Sequence, residues 1–260
     1  MKLAILGGGN MGGAIALGAI ASGEATDSDV KISYPLDYLV EEFNRKGLKG
    51  NFLNDNASAI KGAEVVIVAV KPWLVEQVVT EIAPRFNADS QILVSVAAGI
   101  SLEKLHDYIG QDATVFRVIP NTAISIGKST TFICHSSNAD KQSIEEVVGL
   151  FKSMGEVFLV KQEEMAAVTA LASCGIAYAF RYIDAAVNGG VELGLDRSRA
   201  LKIVLQTVKG AVETLKEHGS QPQAEIDKVT TPGGITLKGL EAMENNGFSK
   251  AVIEGLKASK

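Results

Sequence analysis

Hydrophobic residues follow two rhythms along this chain, and the rhythm changes near residue 160. Before that point, short apolar runs alternate with amphipathic stretches of helical period, the pattern of parallel strands joined by crossover helices. The runs predict strands at Leu3–Leu6, Val30–Ser33, Val65–Val70, Ile92–Val96, Val115–Ile119, Thr130–Cys134 and Val157–Val160. The segment from Val65 to Val70 is apolar on both faces, which places it at the centre of a covered sheet. Helices are expected between these at Met11–Ser22, Leu36–Lys46, Leu74–Ile82, Leu102–Tyr108 and Ser143–Met154. The reading is an α/β fold with a doubly wound sheet over residues 1–160.

After Gln162 the strand signals stop, and residues 161–260 read as an all-helical domain. One long helix is expected from Glu163 to about Asn188, rich in small residues such as Ala166, Ala170, Ala177 and Ala185 that let neighbouring helices approach closely. A second is expected from Arg197 to His218, opened by Asp196 as N-cap and closed by Gly219. Shorter ones follow at Ala224–Val229, Ile235–Asn246 and Ser249–Leu256. A helical tail of this size cannot cover so apolar a helix alone, so pairing with a second copy is expected, giving a homodimer or a higher homo-oligomer built from dimers.

Composition narrows the partners. The chain has 260 residues, 47% of them hydrophobic, and a net charge of −5, with no basic run, which argues against a nucleic-acid surface. Cys134 and Cys174 lack any metal-ligand or CxxC spacing, so neither a disulfide framework nor a structural metal is expected, and the compartment is reducing. The apolar start Leu3–Leu6 is too short for a secretory leader, and charged residues break up every long hydrophobic stretch. These points predict a cytoplasmic protein with no membrane partner.

Candidate chemistry begins at Gly7-Gly8-Gly9-Asn10-Met11-Gly12, which satisfies G-x-G-x-x-G directly after a predicted strand and opens a predicted helix. In a Rossmann-like fold Gly7 permits the tight turn, Gly9 lets the backbone approach a pyrophosphate, and Gly12 lets helix and strand pack closely. The end of the second strand, where an acid or a basic residue distinguishes NADH from NADPH, reads Ser33-Tyr34-Pro35. Asp37 lies late for a ribose ligand, and both nucleotides stay open. Lys71-Pro72, Ala97-Ala98-Gly99 and Pro120-Asn121-Thr122 follow strands at the same carboxyl edge and would line a nicotinamide pocket. Pro72 also fits an ordinary helix start, and Lys71 an ordinary solvated cation.

Near the other end, Val229-Thr230-Thr231-Pro232-Gly233-Gly234-Ile235-Thr236 places a Pro-Gly-Gly turn before a helix. Its bare amides and the helix dipole suit a small carboxylate, although the same pattern fits a plain helix entry. His106, His135 and His218 are scattered, with no acid at relay spacing. A dehydrogenase oxidising an alcohol needs a proton acceptor in its site, whereas reduction of an imine needs less, because an iminium already carries the charge that draws hydride.

These motifs resemble those of the pyrroline-5-carboxylate reductases, nearly end to end. The resemblance rests on the glycine turn, Ala69-Val70-Lys71-Pro72, Ser95-Val96-Ala97-Ala98-Gly99-Ile100, Arg117-Val118-Ile119-Pro120-Asn121-Thr122, Gly189-Gly190-Val191 and the turn ending in Thr236. It implies hydride transfer from NADPH or NADH to C5 of the cyclic imine 1-pyrroline-5-carboxylate. It also implies cofactor contacts at Gly8, Asn10, Asn56, Val70, Lys71 and Ala97, and a substrate carboxylate against the amides of Gly233, Gly234, Ile235 and Thr236. Thr236 would hydrogen-bond the ring nitrogen. Gln162 stands where the family often has an acid able to meet the substrate amine, and Leu171-Ala172-Ser173-Cys174-Gly175-Ile176 replaces a glycine- and proline-bearing stretch. A relative acting on another cyclic imine or a β-hydroxy acid, or a non-catalytic dinucleotide-binding paralogue, would carry the same cofactor half.

Overall fold

Alternation in the strands decides which side of the sheet each residue covers. The structure is a computed structural model describing residues 1–260, and it divides into two compact units, Met1–Ser173 and Cys174–Lys260. In the first unit, Leu3, Ile5, Ile67, Val94 and Phe116 point to one core, while Ala4, Leu6, Val66, Val68 and Leu93 point to another. Both faces are therefore buried, as a parallel sheet requires.

Eight strands form the sheet: β1 Leu3–Gly8, β2 Val30–Pro35, β3 Asn51–Leu53, β4 Val65–Val68, β5 Ile92–Ser95, β6 Thr114–Ile119, β7 Ser129–His135 and β8 Gly155–Leu159. Their order is β3-β2-β1-β4-β5-β6-β7-β8. The covering helices are α1 Asn10–Ser22, α2 Asp37–Arg45, α3 Asn56–Ala59, α4 Val75–Ile82, α5 Leu102–Ile109 and α6 Lys141–Lys152. Residues of α1, α2 and α6, among them Ile15, Leu39, Phe43 and Phe151, fill the first core. Val75, Val79, Ile82 and Leu105 of α4 and α5 fill the second. The fold is the Rossmann-like doubly wound sheet expected, with β4 fully buried near its middle.

Two details of the sheet differ from the sequence reading. The strand β3 was not expected, because Asn51-Phe52-Leu53 is too short to show alternation. The strand β7 pairs antiparallel with β6, where a parallel arrangement was expected. Only a short 3-10 turn, Thr122–Ile126, joins the two, and a parallel return needs a longer crossover.

The helical part begins with α7 Met165–Val168 and continues through a π-helical segment, Thr169–Cys174, before α8 Gly175–Glu192. The expected single helix is thus interrupted. Thr169 Oγ1 donates to the Met165 carbonyl at 2.6 Å, a local bond that competes with the regular ladder. The run Gln162–Glu192 has 31 residues and contains an 18-residue window of mean hydropathy 1.3, so by length and composition it is apolar enough to cross a bilayer, contrary to expectation. Alanines raise the average without forming an uninterrupted apolar run, since Arg181 and Asp184 lie within it.

In the second unit α8 is followed by α9 Arg197–His218, α10 Pro222–Lys228, α11 Ile235–Asn245 and α12 Phe248–Ala258. Arg197 donates to Asp184 at 3.0 Å and to Asn188 at 2.6 Å, fastening α9 to α8. The Tyr178 hydroxyl bonds Ser259 and the Gly255 carbonyl, fastening α12 to α8. Val187 and Ala200 alone are apolar residues of this unit buried to core levels, while Phe180, Leu193, Ile203, Leu205, Phe248 and Ile253 stay exposed. Such a surface needs a cover.

Two outcomes follow. Phe116 is fully buried in the first core, so Phe116→Ala should lower stability by about 3–5 kcal/mol in urea denaturation. In the second unit, bonds from Lys228 Nζ, the Ser220 hydroxyl and His218 Nδ1 converge on Glu225 and lower its pKa from 4.5 to about 2. Because the folded value is depressed, this contribution is present above pH 4.5 and lost as pH falls toward about 2. The difference in melting temperature between the parent and Glu225→Gln should shrink through that window.

Candidate functional site

The glycine turn follows β1 at the carboxyl edge of the sheet, beside the point between β1 and β4 where strand order reverses. Gly7 adopts φ +105°, and a Cβ there would meet Val70 Cγ1 at 2.8 Å. A Cβ on Gly12 would lie 2.1 Å from the Gly7 carbonyl oxygen, so only glycine lets α1 start this close to the strand. Gly9 is the N-cap of α1, with no side-chain cap and nothing within 4 Å of where its Cβ would stand. The amides of Asn10, Met11 and Gly12 therefore have no acceptor from a capping side chain, a setting that fits a pyrophosphate. Gly8 sits against Pro35 at the neighbouring strand end.

The other cofactor candidates lie on the same edge. Tyr38 of α2 donates to Asn10 Oδ1 at 2.8 Å, and burial raises the Tyr38 pKa. Asn56 is buried at the start of α3, accepting from Ser33 Oγ at 2.6 Å and donating to Glu81 at 2.9 Å. Val70 and the exposed Lys71 follow β4, with Pro72 opening a 3-10 turn, and buried Ala97 follows β5. A cavity of about 860 Å³ lies elsewhere: it runs along the flank of α1 past Leu17, Tyr38 and Ile124 and meets the glycine turn only at Asn10. Backbone chemistry, not cavity size, marks the nucleotide edge.

Gln162 forms a network the sequence did not disclose. Its Oε1 accepts from the Leu102 amide at 2.7 Å and from Arg117 Nη1 at 3.4 Å. Its Nε2 donates to both Glu103 oxygens, at 2.9 and 3.1 Å. A substrate amine reaching Gln162 would have to displace one of these partners. Arg117 is 8% exposed and its Nε has no partner. The Glu103 carboxyl is held below the usual range by its own amide, by Gln162 and by Ser101. The available signal was an arginine in the otherwise apolar strand Thr114–Ile119.

In the second unit, Gly233 takes φ +74° and the Gly234 amide donates to the Thr231 carbonyl at 2.8 Å. Gly234 is the N-cap of α11 with no side-chain cap. Ile235 is 89% exposed, and Thr236 is also exposed, with no hydrogen bond to its hydroxyl. The first-turn amides of Ile235, Thr236 and Leu237 have no side-chain cap. An anion and an adjacent N–H donor fit this arrangement chemically.

A glycine turn on a reversing parallel sheet, opening an uncapped helix, defines a dinucleotide-binding protein of the Rossmann class. Residues 2–99 match the family model "NADP oxidoreductase coenzyme F420-dependent", and residues 162–260 match "Pyrroline-5-carboxylate reductase dimerisation". The chain belongs to the pyrroline-5-carboxylate reductase family.

It is 34% identical to pyrroline-5-carboxylate reductase 2 of Dictyostelium discoideum over 98% of its own length and 89% of that protein. It is also 34% identical to pyrroline-5-carboxylate reductase 1 of the same organism, but spans only 48% of that longer protein. A crystal structure of Plasmodium falciparum pyrroline carboxylate reductase with NADP bound matches with a TM-score of 0.92 at 29% identity, covering 100% of this chain and 95% of that one.

The Gln162 network carries a prediction. Gln162→Leu leaves the Leu102 amide and Arg117 without their acceptor and should cost about 1–3 kcal/mol in chemical denaturation. An unchanged midpoint would show that the network contributes nothing to the fold.

Proposed function

We propose that this chain reduces 1-pyrroline-5-carboxylate to L-proline with NADPH or NADH. The observation that carries the reading is the turn from Val229 to Thr236, where α11 begins with uncapped amides beside an unpaired hydroxyl. Residues 1–160 hold the nucleotide through Gly7, Gly8, Gly9, Asn10, Met11, Gly12, Asn56, Val70, Lys71, Pro72 and Ala97. Residues 161–260 hold the imine and pair with a second copy, in a homodimer or a larger assembly of dimers. The exposed apolar surface of the second unit supports that pairing. The enzyme works in the cytoplasm, and its net charge of −5 suits a small-molecule substrate better than nucleic acid.

The reduced nicotinamide, when bound, supplies a hydride to C5 of the ring. The chain's own part is binding and charge. Amides of Gly233, Gly234, Ile235 and Thr236 take the substrate carboxylate and fix the ring's orientation. Thr236 Oγ1 accepts from the protonated ring nitrogen and keeps that proton in place while the C=N π electrons settle on nitrogen. No general base is needed for this step, which agrees with the absence of a histidine from either candidate edge. Gln162 contributes by gathering Glu103 and Arg117 at the entrance to α7.

Purified protein offered the imine with each nucleotide should oxidise at least one of them, and oxidation of neither rejects the reading. Thr236→Ala should lower kcat by about 10- to 100-fold with nucleotide affinity unchanged. Parental kcat in that variant would remove Thr236 from the chemistry.

A further inference from the structure

We propose that this chain reads the adenosine ribose of its nucleotide as a free diol, so that it binds NADH in preference to NADPH. The inference rests on the reading of Gly7–Gly12 as the pyrophosphate turn. The corner between β2 and α2 is tied to that turn: the Leu36 amide donates to the Gly8 carbonyl at 3.1 Å, and Gly8 and Pro35 are paired in register. A Cβ on Gly8 would fall 2.5 Å from Pro35 Cα. The ribose beyond the pyrophosphate therefore meets Ser33 to Tyr38, the place where this fold discriminates the nucleotides.

That corner has no cation. It reads Ser33-Tyr34-Pro35-Leu36-Asp37-Tyr38, with Asp37 in the first turn of α2. The cations nearby in sequence or charge are committed elsewhere. Lys31 donates to the Lys61 carbonyl at 2.6 Å, and Arg45 and Lys46, at the far end of α2, pair with Glu42. Arg85 lines a cavity with Ala57, Lys61 and Asn87, and its charge already answers the Asp55 carboxylate. Carboxylates gather instead. Glu81 accepts from Asn56, Asn56 accepts from Ser33 at the strand end, and Asp55 caps α3 through the amides of Ala57 and Ser58. A 2′-phosphate placed beside Asn56 would find no cation on the corner itself and would stand next to the Glu81 carboxylate that Asn56 already binds.

Backbone strain at the same corner is the second observation. Tyr34 has φ +48°, and it is the one non-glycine residue of the chain in the left-handed region. A side chain held there costs about 1–3 kcal/mol and persists where the surroundings fix it, commonly at ligand sites. Its ring is 54% exposed at the edge where the adenosine would lie. A neutral phenol suits a sugar diol and gives nothing to a dianion.

Calorimetric titration of the full chain with NADH and with NADPH tests this directly. NADH should bind about tenfold more tightly, with the gap narrowing as salt screens the carboxylates. Tyr34→Arg keeps a Cβ at the strained position and adds a cation, so it should close or reverse the gap. Equal affinities in the parent, or tighter NADPH, overturn the inference while leaving the reductase reading intact. Binding of neither nucleotide overturns both.

Discussion

Helix starts without caps govern what this protein can hold. The helices α3, α5, α6 and α9 close their first turns with Asp55, Ser101, Asp140 and Asp196. Among the helices without such a cap, α1 and α11 start from Gly9 and Gly234. Each leaves three amides and about half a positive charge unanswered. Water can satisfy them, but an anion does so with additional Coulomb energy. Both starts follow a glycine in the left-handed region, Gly7 and Gly233, so the same local device appears in each unit. A pyrophosphate and a carboxylate are the anions that an amino-acid-forming reductase must hold.

The two units are stabilised differently. The first buries apolar residues on both sides of its sheet, from Leu3 and Phe116 on one side to Leu6 and Val68 on the other. Burying a side chain of this size contributes about 1.5–3 kcal/mol, so this unit holds a large reserve. The second leaves Phe180, Leu193, Leu205 and Phe248 at its surface and buries little. Its helices are fastened at their ends by Arg197 and Tyr178, which fixes geometry without building a core. Most of its apolar energy is therefore left for association, in keeping with a family model named for dimerisation.

Legibility followed how local each cause is. The turn Gly7–Gly12 and the buried run at β4 could be read because each is set by a few adjacent residues. The loop Val229–Thr236 was legible for the same reason. The three-residue β3 was not, since its pairing to Lys31, Ile32 and Ser33 depends on partners distant in sequence. The direction of β7 depended on the length of a connection rather than on its composition. The π-segment Thr169–Cys174 was not legible because its run of small residues suits a regular helix equally well. Arg117 was quoted as part of a motif, yet its burial beside Gln162 and Glu103 appears only when β6, α5 and the start of the helical run are placed together.

Charge explains why peptide amides suit the proposed reaction better than an arginine clamp. The imine accepts hydride readily only when its nitrogen is protonated, so a full positive charge held against the substrate carboxylate would also act on the ring. At a separation of about 4 Å, two unit charges repel by about 4 kcal/mol at an effective dielectric of 20, enough to depress the imine pKa by several units. A helix start presents only a fraction of that charge, spread over several donors. It can orient the carboxylate while leaving the iminium intact. The neutral Thr236 hydroxyl continues the same economy of charge, because it can accept from the protonated nitrogen and also hydrogen-bond to the neutral amine that follows.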